Sequence, residues 1–136
     1  MKRTVLVLSL LVVIVPRGVP ASDADAEPRS MGEHVTCGVL FRILAGGMLQ
    51  KARTSTADFR ALADWYKERA FEEIAAAKRA ATELYGDELA FELFDEEWQA
   101  VYGDMMNQIG NNYRNLSRLR YRYGDRCDIK PKFDAN

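Results

Sequence analysis

The sequence predicts an all-α protein: a small antiparallel bundle of four (alternatively three) helices, placed after a signal peptide and stapled by one disulfide. Three observations predict it. The N-terminus has the layout of a secretory signal. The rest of the chain shows apolar residues at helical spacing, punctuated by Gly-Asp and Ser-x-x-acid signals. Two cysteines, Cys37 and Cys127, stand near the two ends of the helical region.

Met1-Lys2-Arg3 is a short basic start, followed by an apolar stretch over residues 5–15 broken only by Ser9. Pro16 and Gly18 end it. Val19-Pro20-Ala21 then offers residues that a signal peptidase accepts at its −3 and −1 positions, so cleavage is expected after Ala21. Ala24-Asp25-Ala26 fits the same rule and makes Ala26 the alternative site. The apolar stretch is about half the ~20 residues needed to span a bilayer, so a cleaved signal is preferred to a retained anchor. No Cys follows it closely, which speaks against a lipoprotein. A bacterial periplasmic or secreted location is the expectation.

The full chain has 19 Lys and Arg against 20 Asp and Glu. Removing residues 1–21 takes Lys2, Arg3 and Arg17 and no acid, leaving 16 against 20, a net charge of about −4. That balance argues against a nucleic-acid binder. No second apolar segment is long enough to span a membrane in the mature protein. The mature length suits a single domain with one core. Residues 22–29 are polar, contain Pro28 and read as a disordered leader. The bundle is expected over residues 30–127 and a flexible tail over 128–136.

Ser30-x-x-Glu33 is a capping-box pattern that opens the first helix, expected from about Met31 to Ala52. Its apolar residues cover most of the circumference, as in the most enclosed helix of a bundle or one that faces a partner. Gly46-Gly47 inside it signals either close packing or a local break. Ser55-x-x-Asp58 resembles a second cap, and the second helix is expected over residues 56–85. There Phe59, Leu62, Ala63, Tyr66, Ala70, Ile74, Ala77, Ala81 and Leu84 share one face. Trp65 and Phe71 lie off that face as a candidate outer patch. Gly86-Asp87 is a stop followed by a cap.

Phe91, Phe94, Trp98, Tyr102, Met105, Ile109, Asn112, Leu116, Leu119 and Tyr123 then recur at steps of three or four. Taken as one helix over residues 88–123 they would span roughly 54 Å. A three-helix bundle of that kind sets Cys37 and Cys127 at opposite ends. If the stripe breaks between Gly103 and Asn112, four helices result and the cysteines meet. An exported pair favours a bridge, so the four-helix form is preferred. Unpaired or intermolecular cysteines belong to the three-helix alternative.

Motif-borne catalysis finds little support. There is no G-x-S-x-G and no phosphate-binding glycine pattern. His34 is the only histidine, and at a helix start it reads as solvated. No cofactor is expected. A b-type haem held by His34 and Met105, or a bound metal, is the alternative, a small-ligand bundle. The acidic run Glu88, Glu92, Asp95, Glu96 and Glu97 lacks the Glu-x-x-His pairs of di-iron bundles and reads as a solvated face.

The distinctive feature is charge asymmetry. From Glu83 to Asp104 there are eight acids and no base; from Tyr113 to Lys132 there are seven bases and two acids. Arg114, Arg118, Arg120 and Arg122, with Tyr121 and with Trp65 on the second helix, form the candidate partner surface. Its expected partner is an acidic protein or envelope component. The competing reading is internal compensation between the basic and acidic helices. The function these features favour is a non-enzymatic binding module.

Overall fold

The computed structural model describes residues 28–54 and 58–129. The signal segment, most of the leader, the cap read at Ser55 and tail residues 130–136 lie outside the described residues. The described residues form four α-helices: α1 (Met31–Ala52), α2 (Asp58–Tyr85), α3 (Asp87–Gln108) and α4 (Leu116–Tyr123), with one 3-10 turn, Tyr113–Asn115, before α4. None of these helices is long and apolar enough to cross a membrane.

α1 begins where its capping box requires. The Ser30 hydroxyl accepts from the Glu33 backbone N–H, and the Glu33 carboxylate accepts from the Ser30 N–H at 2.9 Å. The Ser30 N–H, and after it the Ser30 hydroxyl donating to the carboxylate at 3.2 Å, hold the Glu33 carboxyl below the usual range. Its all-round apolar sequence is explained by position: α1 is the central helix. Val35, Cys37, Val39, Leu40, Phe41 and Leu44 are fully enclosed, against α2 on one side and α3 and α4 on others. The Gly46-Gly47 pair does not break it. A Cβ at Gly47 would collide with Leu116 Cδ1, and one at Gly46 would sit 3.1 Å from the Tyr113 hydroxyl. Both glycines let the start of α4 lie against α1.

α2 supplies a narrow inner stripe of Ala63, Tyr66, Ala70, Ala77 and Ala81. The small alanines admit α1 closely, and Tyr66 stacks on Phe41 with ring centroids 6.1 Å apart. Burial, opposed by the charge of Arg120, holds the Tyr66 phenol above its ordinary value. Ile74 is half-buried. Leu84, expected on the inner face, is 64% exposed. α2 has 28 residues against 22 in α1. With His34 level with Glu73, the last turns of α2 run past the start of α1 and lose its cover.

A single residue, Gly86 (φ 76°), links α2 to α3. The Gly103-Asp104 pair leaves α3 uninterrupted. The break falls later, where Gly110 (φ 62°) and Asn111 (φ 53°) both take the left-handed conformation that only glycine and, less readily, asparagine accept cheaply. The Asn111 N–H closes the helix end on the Met106 carbonyl at 2.8 Å. Asn112 and Asn115 then build the turn: the Asn112 side chain accepts from the Arg114 N–H, and the Asn115 amide donates to the Ile109 carbonyl. The stripe is thus shared by two helices, with Met105 and Ile109 buried before the break and Leu116 and Leu119 after it.

The reversal brings the chain ends together. Cys37 and Cys127 are disulfide-bonded, their Cα atoms 5.3 Å apart, closing a loop of 90 positions. Beyond Cys127, the Ile129 N–H donates to the Gly124 carbonyl at 2.9 Å, so the start of the segment read as a tail is seated on the bundle.

Candidate functional site

Two polar constellations stand out, one enclosed and one open. The enclosed one centres on Glu73, the one charged residue buried among the described residues, at 5% exposure. It occupies the inner stripe of α2, three residues after Ala70 and four before Ala77. Its oxygens are divided between two side chains. Oε1 accepts from Arg29 Nη1 at 2.7 Å, and Oε2 lies 2.6 Å from His34 Nδ1. Arg69, whose guanidinium lies 5.4 Å from the centre of the Phe41 ring, reaches Oε1 at 3.9 Å and pairs with Glu72 at 2.6 Å. Arg29 donates its other nitrogen to the Arg126 carbonyl at 3.1 Å, one residue before Cys127. One carboxylate therefore ties together the chain before α1, α1 itself, α2 and the C-terminal turn, next to the disulfide. His34 is not the solvated helix-start residue expected from sequence; 22% of its side chain is exposed.

That arrangement acts as a structural lock. Both carboxylate oxygens are engaged. No group of three or more His, Cys, Asp and Glu side chains among the described residues is placed to hold a metal ion. Met105, the methionine named with His34 for haem, is 1% exposed and borders a surface depression whose lining does not include His34.

The open constellation is α4. An isolated eight-residue helix is marginal in water. This one is fixed by Leu116 and Leu119 inside, by the Asn112–Asn115 turn before it and by Cys127 after it. With those positions inward, Arg114, Arg118 and Tyr121 face outward, flanked by Arg120 towards Tyr66 and by Arg122 towards α3. All four arginines are exposed, and Tyr121 keeps 94% of its surface. Gln108 at the end of α3 holds this face: its amide N–H donates to Asp104 at 2.7 Å and to the Tyr123 hydroxyl at 3.0 Å, and its oxygen accepts from Arg122 at 3.2 Å. Gln108, Arg118, Tyr121 and Arg122 line a depression of about 430 Å³. Arg122 also borders a second of about 540 Å³, with Thr36, Tyr123 and Arg126.

The ion pairs found among the described residues are Arg29–Glu73, Lys67–Asp64, Arg69–Glu72 and Arg69–Glu73, beside the His34–Glu73 contact. None of them uses an α4 arginine. Packing of α4 beside acidic α3 runs through the neutral Gln108 instead. Trp65 is placed elsewhere: it is half-buried, with its ring 6.1 Å from Phe41 and 5.1 Å from Tyr66. Its expected companion Phe71 is 66% exposed.

Sequence reasoning missed Glu73 and Arg29. Glu73 had a signal, a carboxylate at the 3–4 spacing of the inner alanines. Arg29 had none that distinguishes it from its polar surroundings.

The fold and its surface define a small disulfide-stapled all-α bundle with one basic, aromatic helical face. No protein-family model, curated protein or solved structure matches the chain.

Proposed function

We propose that the chain is an exported, non-enzymatic helical module that binds an acidic protein or anionic envelope component through α4. The observation that carries this reading is the set of exposed, outward arginines on a helix rigidly held at both ends, with Tyr121 among them. Exposed guanidinium groups on a fixed scaffold recognise carboxylate or phosphate in paired geometry and lose little freedom on binding. Tyrosine adds apolar contact with a polar tip. Export is supported by the layout of residues 1–21 and by a cysteine pair of the kind that persists in oxidising compartments.

The test uses polyglutamate peptide as the acidic probe. The mature protein binds it in a salt-sensitive manner, and Arg118→Glu with Arg122→Glu abolishes binding while helicity by circular dichroism is kept. Undiminished binding by the double variant sinks the reading. Intact mass of the protein recovered from its producing cells, without reductant, checks export: residues 1–21 (or 1–26) are absent and two hydrogens are missing for the disulfide.

A further inference from the structure

Four of the seven large apolar side chains left exposed among the described residues lie close together in the chain. Leu84 and Tyr85 end α2, Leu89 and Phe91 lie in the opening turns of α3, and they are 64, 46, 52 and 71% exposed. All four fall within five residues of Gly86, in the part of the bundle that projects past α1. Apolar surface gathered in this way marks a contact site. Most of its polar neighbours are acidic: Glu83, Asp87, Glu88 and Glu92 are exposed and no base stands in the sequence between Glu83 and Asp104, although Lys78 of α2 lies 5.4 Å from the centre of the Phe94 ring. The α2–α3 turn is therefore an apolar knob with an acidic collar.

The α4 face is its complement. It carries a depression, it is basic where the collar is acidic, and it offers Tyr121 and Tyr123 beside Arg118 and Arg122. Within one molecule the two cannot meet. Phe91 and the groove residue Gln108 lie on the same unbroken helix, 17 residues or about 26 Å apart along its axis.

We propose that the acidic partner of α4 is a second copy of this chain, whose α2–α3 knob seats in the groove of Gln108, Arg118, Tyr121 and Arg122. The proposal rests on the reading of α4 as an acidic-partner face and names that partner. Opposite charge steers the encounter and sets the register; the apolar knob supplies the buried centre. The contact is head to tail, so each docking leaves one knob and one groove free. Such an interface adds further copies in a row unless the rotation closes a ring.

Analytical ultracentrifugation of the mature, disulfide-bonded chain at low salt tests it. The weight-average mass rises with protein concentration past that of a dimer, and added salt reverses the rise. Phe91→Asp removes the knob and Arg118→Glu with Arg122→Glu removes the groove; each weakens association about tenfold or more, as loss of a central contact residue does. These residues are exposed, so both variants keep their helicity. Mixed together, the two variants form a one-to-one pair that grows no further, because only the Phe91→Asp copy has a groove and only the other has a knob. A chain that stays monomeric at its highest soluble concentration overturns the proposal, as does a mixture that fails to pair. Polyglutamate binding measured on the same samples separates the two readings. A monomeric chain that binds the peptide keeps its acidic-partner face and loses only the second copy as partner; a chain that does neither loses both.

Discussion

Glu73 and Arg118 are both charged side chains on helices of one small bundle, and the fold treats them in opposite ways. Glu73 is buried at 5% exposure with both oxygens engaged by Arg29 and His34. Arg118 stands on the surface with a single long contact, 3.5 Å to the Gln108 carbonyl. A buried charge is tolerable only when it is paired and hydrogen-bonded, and taking away its partners is costly. An exposed charge can be removed almost without effect on folding. The comparison separates the part of the charge pattern that holds the molecule together from the part available to a partner.

The largest expected effect comes from opening the locked end. Cys37→Ala with Cys127→Ala releases a loop of 90 positions and lowers stability by roughly 4–5 kcal/mol in the chain-entropy account. Urea unfolding of the variant beside the oxidised parent measures it; a loss below about 1 kcal/mol would show that the Glu73 contacts hold the ends without the bridge. Glu73→Ala comes next, at about 2–3 kcal/mol. That is below the cost for a fully enclosed pair, because Arg29 and His34 keep 31% and 22% of their side-chain surface in water. Polyglutamate binding at α4 is unchanged in that variant, and a parallel loss of binding would break the separation. Gly47→Val forces Leu116 outward and costs about 1–3 kcal/mol. Because it displaces the start of α4, it lowers both stability and binding, which makes it the one substitution that joins the two regions.

Smaller effects sharpen the contrast. Burial holds the Tyr66 and Tyr113 phenols above their ordinary value of 10.0. As pH rises through that value the unfolded chain ionises first, so the stability these phenols contribute is intact below pH 10 and is lost above it. Tyr66→Phe makes the alkaline fall in melting temperature shallower; an unaltered slope would remove Tyr66 from the account. Arg118→Glu with Arg122→Glu changes stability least, by about 0.5 kcal/mol or less, while removing polyglutamate binding.

Most of the architecture was legible in the sequence, because local chemistry decided it. The Ser30–Glu33 capping box placed the start of α1, and its all-round apolar residues foretold a central helix. The two cysteines, read as an exported pair, favoured a fourth helix, and the turn residues after Gly103 supplied a place for the break. Gly103-Asp104 resembled the stop, yet the turn formed at Gly110 and Asn111. There the helix ends without losing the burial of Met105 and Ile109. Leu84 was misplaced because its exposure depends on the relative lengths of α1 and α2, a tertiary property no local pattern records. The arginines of α4 were visible as a cluster, whereas Trp65, set apart by its position on the helical wheel, was drawn against Phe41 and Tyr66 by aromatic packing. The Glu73 lock was hidden because it joins residues 29, 34, 73 and 126, and only the folded chain makes them neighbours.

The Cys37–Cys127 bridge also sets how the molecule bears tension. A pull carried from the residues before Cys37 to those after Cys127 passes through two sulfur atoms and leaves α2, α3, α4 and most of α1 off the line of load. What can be peeled away is the first two turns of α1, up to Cys37, and the short seat of Ile129 against Gly124. With the bridge reduced, the same pull would unravel the bundle from both ends.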